Sequence, residues 1–261
     1  MTATDSDTPS VPAALASPAT YRPGADEHPH LDRAEMLRYL GYGGQDVEPG
    51  LAARIENVVA EVERDIAPCG IRRVFPVDAS GSDEDGNPCI HLAGTTVKLR
   101  GRDIYRHLKD APYCALLACT LGMVSERRLR LLSSQKPLES AVFDAACSAY
   151  VEAAVEQMDA DVKREATALG LTGNWRFSCG YGDCPLDAQP AIVATLNATR
   201  LIGLTVTPTN LLLPSKSVTA MIGLFDRPVH DADTRPTCIT CRMRGACRFR
   251  AHGTTCYGER A

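Results

Sequence analysis

The sequence of 261 residues is poor in aromatic side chains, which make up 5% of it, and it contains a single tryptophan. No uninterrupted apolar run reaches the roughly 18 residues that span a bilayer. The formal net charge is −4 at pH 7, whereas surfaces that bind nucleic acids carry a basic excess. These shortages argue against a membrane protein and against a nucleic-acid-binding protein.

Several functional motifs are also missing. The N-terminus lacks the basic start and apolar core of a signal peptide, so we expect a cytoplasmic protein. Neither a phosphate-binding loop nor a dinucleotide-binding fingerprint occurs. The histidines do not combine with serine, aspartate or cysteine in a pattern typical of nucleophilic catalysis. The sequence therefore offers no catalytic residues of a conventional kind.

Composition divides the chain into three parts. Residues 1–30 are rich in proline, alanine, serine, threonine and aspartate, which predicts a disordered leader. Residues 31–230 show the helix and strand patterns of a globular domain. Residues 231–261 form a tail that contains four of the eleven cysteines.

The globular part mixes two periodicities. Apolar residues at three- and four-residue steps, together with end signals, predict helices at 32–42, 48–67, 103–108, 140–169 and 186–197. Apolar and β-branched runs predict strands at 71–77, 90–99, 113–121 and 217–225. Because helices and strands do not alternate regularly, we predict an α+β fold with a mixed or antiparallel sheet.

Acidic residues of two predicted helices are expected to cap a helix or to face water. Asp103 is predicted to cap its short helix, and ligand binding is the alternative. In the helix at 140–169, the predicted water-facing carboxylates are Asp144, Glu152, Glu156, Asp159 and Asp161.

The loop at 176–185 has features of a ligand-binding site. Gly180 and Gly182 flank Tyr181, and Arg176 opens the loop. Glycine lets the backbone approach a ligand closely. An arginine suits an anion, and an aromatic ring suits a flat or cationic group.

The cysteines fall into three groups. The tail cysteines are spaced Cys-x2-Cys-x5-Cys-x8-Cys, which predicts a metal site because four thiolates complete the coordination of zinc or a [4Fe–4S] cluster. The alternative is a flexible tail with incidental thiols. These four are Cys238, Cys241, Cys247 and Cys256. Cys179 and Cys184 are either packing residues or reactive thiols of the loop. The other five are predicted to pack in the core: Cys69, Cys89, Cys114, Cys119 and Cys147.

The loop and its flanks resemble the activation domain of cobalamin-dependent methionine synthase. Arg176-x3-Gly180-Tyr181 is similar to that family's S-adenosylmethionine-binding motif. The resemblance covers about residues 35–228 and includes three flanking segments, at 141–146, 205–208 and 213–218. The chain is more closely similar to stand-alone activation proteins, which serve a methionine synthase without such a domain.

The resemblance implies a helmet- or C-shaped α+β domain, with a largely antiparallel twisted sheet flanked by helices, that binds S-adenosylmethionine. The binding residues that it implies are Arg176, Phe177, Ser178, Cys179, Gly180 and Tyr181. Arg176 would hold the methionine carboxylate, and Tyr181 would lie near the ribose, adenine or sulfonium. Further contacts with the ligand or a corrinoid are expected at Asp103, Lys216 and Ser217.

The function implied is reactivation of the partner enzyme. Its inactive cob(II)alamin would receive an electron from a flavodoxin- or ferredoxin-type donor and a methyl group from S-adenosylmethionine. This chain lacks the cobalamin-binding Asp-x-His-x-x-Gly motif, so the corrinoid is expected on the partner. One alternative is a module that binds S-adenosylmethionine or a corrinoid protein without methyl transfer. The other is an iron–sulfur electron-transfer protein.

Overall fold

The computed structural model describes residues 9–42, 44–229, 242–251 and 253. Its helices are α1 (Ala13–Ala16), α2 (Arg33–Tyr39), α3 (Pro49–Asp65), α4 (Arg102–Leu108), α5 (Gly122–Gln135), α6 (Pro137–Ala168), α7 (Gln189–Thr195), α8 (Ala198–Ile202) and α9 (Arg248–Ala251). Its strands are β1 (Ala19–Tyr21), β2 (Cys69–Asp78), β3 (Cys89–Leu92), β4 (Lys98–Arg100), β5 (Tyr113–Thr120), β6 (Thr172–Gly173), β7 (Thr205–Val206), β8 (Leu212–Leu213) and β9 (Ser217–Phe225).

Seven strands form one antiparallel sheet. Six of them follow the order β4-β3-β2-β5-β9-β6, and the seventh, β1, pairs with residues 70–72 of β2 on the edge that β3 also uses. β7 and β8 form a separate antiparallel pair. The predicted α+β fold with a largely antiparallel sheet is therefore confirmed.

The central strand β5 is buried on both faces, which explains its continuous apolar sequence. Its side chains alternate between two hydrophobic clusters, as the twofold repeat of a strand requires. Ala115, Leu117 and Cys119 pack under α2, α3, α5 and α6. Cys114, Leu116 and Ala118 pack under α4, α7, α8 and the loop at 176–185. The sheet thus separates two helical layers, and the loop lies in the second.

α6 is the longest helix, with 32 residues, and it crosses the first face of the sheet. Small buried residues such as Ala146, Ala149 and Ala154 let it approach the strands closely. Within the described ranges, no helix is both long enough and apolar enough to cross a membrane.

The prediction of a disordered leader is wrong for residues 9–30. β1 pairs with β2, and Leu15 is buried in the first cluster, where Val11 and Tyr21 also pack. The sequence did not reveal this packing, because the apolar residues are separated by prolines and recur at no regular period. Each of them nevertheless packs against the first hydrophobic cluster. Residues 1–8 lie outside the described part of the chain.

The predicted strand at 90–99 is a tight hairpin of β3 and β4. The turn is stabilised by Thr95, whose Oγ1 donates to the Leu92 carbonyl at 2.7 Å and accepts from the Val97 amide at 3.0 Å. Gly94 adopts a φ of 76°, a region that glycine enters without strain. The sequence also did not reveal α8, which has only five residues.

Replacing Leu15 by alanine tests the docking of the N-terminal segment. We expect the free energy of unfolding to fall by about 2–5 kcal/mol, because a buried leucine is lost from the core. Urea denaturation would measure this change. Leu131→Ala is the control, because Leu131 is an exposed residue of α5. This substitution should change the free energy of unfolding by less than about 0.5 kcal/mol. Equal effects of the two substitutions would contradict the docked arrangement.

Candidate functional site

The segment before the loop extends the sheet along β9. β6 pairs with the end of β9, and the Asn174 amide donates to the Gly223 carbonyl at 3.0 Å. Phe177 and Met221 exchange two backbone hydrogen bonds, of 2.9 and 2.8 Å. The loop at 176–185 therefore leaves the sheet from a fixed edge.

Internal hydrogen bonds fold the loop into a compact turn. The Gly180 amide donates to the Cys184 carbonyl at 2.8 Å, and the Cys184 amide donates to the Tyr181 carbonyl at 3.1 Å. Gly180 has a φ of 94°, which an L side chain rarely adopts. The Tyr181 ring is 52% exposed and lies edge-on to the buried Phe177 ring, 6.5 Å between centroids. The turn thus presents an aromatic surface to solvent above an apolar base.

A carboxylate of the loop caps α4. Asp183 accepts hydrogen bonds from the backbone amides of Arg102 and Asp103, at 2.9 and 3.0 Å. The predicted cap is therefore wrong: the Asp103 carboxylate instead pairs with Arg106, at 3.0 Å. The residue at the N-cap position is Gly101, which has no side chain to accept from these amides, so the Asp183 carboxylate takes that place.

Asp103 nevertheless lies against the loop. A Cβ atom placed on Gly182 would come within 2.2 Å of the Asp103 Oδ2 atom. The structure therefore brings the Asp103 carboxylate close to the loop at Gly182.

Arg176 is paired with two glutamates of α6. Its Nη1 atom lies 3.0 Å from Glu152 Oε2, and its Nη2 atom lies 3.0 Å from Glu156 Oε2. The Arg176 side chain is only 22% exposed. Burial alone would lower the pKa of the guanidinium, but the two carboxylates outweigh it and raise the pKa above its usual value. Arg176 is thus a fixed positive charge beside the turn.

Lys216 faces the same helix. Its Nζ atom lies 2.7 Å from Asp144 Oδ1 and donates to Ser148 Oγ at 2.9 Å. Its partners and those of Arg176 follow one another at four-residue steps, so they share one side of the helix. We call this set the α6 polar stripe: Asp144, Ser148, Glu152 and Glu156. Two cations from distant parts of the sequence therefore face one stripe.

Ser217 stabilises the segment that carries Lys216. Its Oγ atom lies 2.7 Å from both Thr120 Oγ1 and the Pro214 carbonyl oxygen. Glu126 accepts a hydrogen bond from the Ser215 amide. These contacts hold the segment against β5 and α5. A groove of about 590 Å³ between α5 and α6 adjoins it and includes Asp144 in its lining.

The acidic residues of α6 were predicted to face water, and the structure shows a different environment for some of them. Asp159, predicted to face water, is buried and pairs with Lys163 at 2.7 Å. Burial raises the pKa of Asp159, and this lysine opposes the shift. Glu156 does face water, with its side chain 67% exposed, whereas Glu152 is only partly exposed; both also bind Arg176, which was not predicted. Their four-residue spacing was the only signal in the sequence that they could share one partner.

A buried polar cluster supports the base of the loop. Asn174 donates to the His107 carbonyl at 3.0 Å and accepts from the Gly223 amide at 2.8 Å. The His107 ring lies 5.1 Å from the Trp175 ring and 5.3 Å from the Phe177 ring. Burial lowers the pKa of His107 to about 3, so this histidine is neutral at physiological pH. Its place in the core argues for a packing role.

The predicted metal site falls mainly outside the described residues. Cys238, Cys241 and Cys256 are not described, and Cys247 is a partly exposed free thiol. In the ranges that are described, no group of three or more histidine, cysteine, aspartate or glutamate side chains is arranged to hold a metal. The four-cysteine site remains a prediction.

Comparison with known proteins identifies the fold. No family model matches the chain, and no curated protein matches it in sequence. The chain is similar to the crystal structure of the MetH reactivation domain bound to S-adenosylhomocysteine. The likeness covers 92% of this chain and 87% of that chain, with a TM-score of 0.60 and 15% sequence identity. This chain has the fold of the MetH reactivation domain.

Replacing Gly101 by alanine tests the contact between α4 and the loop. The added methyl group would lie 2.8 Å from the Asp183 carbonyl oxygen, so the loop has to move. We expect the free energy of unfolding to fall by about 1–3 kcal/mol beyond the effect of positive φ alone. Gly86→Ala is the control, since Gly86 has a φ of 79° and no atom within 4 Å of the added group. Equal losses in thermal or urea unfolding would contradict the close contact.

Proposed function

We propose that the chain binds S-adenosylmethionine at the loop 176–185 and supports reductive methylation of cob(II)alamin on a partner. The partner would be a cobalamin-dependent methionine synthase that lacks its own activation domain, and the product would be methylcobalamin. The observation that carries this proposal is the occurrence of the Arg176-x3-Gly180-Tyr181 motif within the fold of the MetH reactivation domain. That neighbour is bound to S-adenosylhomocysteine, which is S-adenosylmethionine without its transferable methyl group.

The charges beside the loop fit the amino-acid end of such a ligand. That end carries a carboxylate and an ammonium group. A guanidinium has five N–H donors, and Arg176 donates one hydrogen bond from Nη1 to Glu152 and one from Nη2 to Glu156. A ligand carboxylate would bind Arg176, while the ligand ammonium would compensate the glutamates. In this arrangement the largely buried Arg176 keeps a partner of opposite charge.

The turn fits the nucleoside end. The exposed Tyr181 ring offers a flat surface, and Gly180 brings the backbone close without a side chain. Phe177 and Cys179 are buried in the turn, and we assign them, together with Ser178, to the same ligand site. When bound, S-adenosylmethionine supplies a methyl group on a positively charged sulfur. The chain then has to hold and orient the ligand, which explains why its site has no conventional catalytic group.

The remaining predicted contacts have distinct positions. Asp103 lies against Gly182, within the loop, and is proposed as a ligand contact. Lys216 lies at the other end of the α6 polar stripe, and Ser217 holds its segment. We assign these two to the side that meets the corrinoid. A flavodoxin- or ferredoxin-type protein would supply the electron, and the tail cysteines would hold zinc or a [4Fe–4S] cluster.

Replacing Arg176 by alanine tests the binding site. Loss of a charge-assisted contact should weaken S-adenosylmethionine binding by about 1.5–3 kcal/mol, measured by titration calorimetry. Arg72→Ala is a matched control, because Arg72 is also largely buried and pairs with another glutamate of α6, Glu165. The affinity of the Arg72→Ala variant for S-adenosylmethionine should equal that of the unmodified protein. An unchanged affinity in Arg176→Ala, or equal losses in both variants, would rule out the proposed contact.

The reactivation activity requires a reconstituted mixture. It contains the protein, S-adenosylmethionine, a low-potential reductant and a cob(II)alamin-loaded methionine synthase without an activation domain. We expect the absorption spectrum to convert to that of methylcobalamin, and Arg176→Ala to slow the conversion at subsaturating ligand. Ligand binding without conversion would instead identify a binding module. Failure of both binding and conversion would reject the proposed function.

A further inference from the structure

Two thiols of the loop face each other. The Sγ atoms of Cys179 and Cys184 lie 3.9 Å apart, and both residues are free cysteines. Cys179 is 8% exposed and Cys184 is 3% exposed. The proposed function places Cys179 in the ligand-binding turn, but it gives no role to the Cys179 thiol or to Cys184.

The backbone of the loop already brings these two residues together. The Gly180 amide donates to the Cys184 carbonyl at 2.8 Å, which closes the turn between the cysteines. A disulfide needs a sulfur separation of about 2.05 Å, so the sulfurs must approach by less than 2 Å. Gly180 and Gly182 lie between them and allow the backbone to adjust.

The two thiols are not equivalent. The hydrogen bond from the Cys184 thiol lowers the pKa of Cys179, although burial opposes this shift. The same interaction, together with burial, raises the pKa of Cys184. Cys179 is therefore the better source of a thiolate, which is the form of cysteine that reacts. Cys179 is also the more exposed of the two residues, at 8% against 3%.

We propose that Cys179 and Cys184 form a peroxide-sensitive thiol pair that closes reversibly to a disulfide within the loop. The Cys179 sulfur attacks hydrogen peroxide, the O–O bond breaks, and an S–O bond forms as one water leaves. The Cys184 sulfur then attacks the Cys179 sulfur, the S–O bond breaks, and a second water leaves. The two sulfurs together supply the two electrons that reduce the peroxide, and the two thiol protons end in water.

The disulfide would constrain the four residues between the cysteines. These include Gly180 and Tyr181, which the proposed function assigns to S-adenosylmethionine, and Asp183, which caps α4. Oxidation would therefore change ligand affinity, and this consequence rests on the proposed function. Formation of the disulfide itself does not depend on any ligand, so the two proposals fail separately.

Peptide mass spectrometry of the full chain tests the pair directly. Trypsin releases residues 177–200, a peptide whose only cysteines are Cys179 and Cys184. After mild treatment with hydrogen peroxide and blocking of free thiols, we expect this peptide to have lost two hydrogen atoms and to resist alkylation. Dithiothreitol should restore both thiols.

The same digest contains an internal control. Residues 110–127 form a peptide with Cys114 and Cys119, which are fully buried and point to opposite faces of β5. This peptide should keep both thiols. If residues 177–200 also keep both, carry only sulfinic or sulfonic acid, or are linked to another peptide, the proposal is wrong.

Single substitutions test the order of the two steps. In Cys184→Ser, the sulfenic acid formed at Cys179 has no thiol partner, so dimedone should label Cys179 under the same peroxide treatment. In Cys179→Ser, labelling of Cys184 should be at least severalfold lower. Circular dichroism of both variants controls for folding. Equal labelling, with both folds intact, would overturn the assignment of Cys179 as the attacking thiol.

Discussion

The ion pairs of Arg176 with Glu152 and Glu156 join three parts of the molecule: the edge of the sheet, the loop and α6. The Arg176 guanidinium is largely buried, and a buried charge is stabilised by nearby charges of opposite sign. The position of the loop is thus coupled to the position of α6. Since α6 also packs on β5 and β9, movement of the loop is resisted by the core of the domain.

A second set of contacts limits the loop from the opposite side. Asp183 binds two amides at the start of α4, and Gly101 leaves no room for a side chain between them. The base of the loop packs with His107, Asn174 and Trp175. The turn that carries Gly180 and Tyr181 is therefore preorganised by contacts from both helical layers. Preorganisation reduces the entropy that a ligand has to offset on binding.

Local patterns predicted much of the fold. The range of β9 agrees with the prediction, and β5 ends within one residue of it, because buried strands form unbroken apolar runs. α2 begins within one residue of the predicted helix start, where Asp32 binds the amides of Ala34 and Glu35 within one turn of the helix. The cap of α4 could not be predicted, since Asp183 lies about 80 residues from the amides that it binds. The sequence likewise could not show that the carboxylates of α6 bind Arg176 and Lys216, because those pairings exist only in the folded chain.

The fold alone does not select a ligand, because one fold hosts many functions. The proposed function therefore rests on the charges at the loop as well as on the fold. Arg176 contributes one positive charge, and Glu152 and Glu156 contribute two negative charges, so the group has a net charge of −1. S-Adenosylmethionine carries one carboxylate, one ammonium and one sulfonium, so its net charge is +1. Methyl transfer converts the sulfonium to an uncharged thioether, and under the proposed function the negative excess beside the loop would favour the donor over its demethylated product.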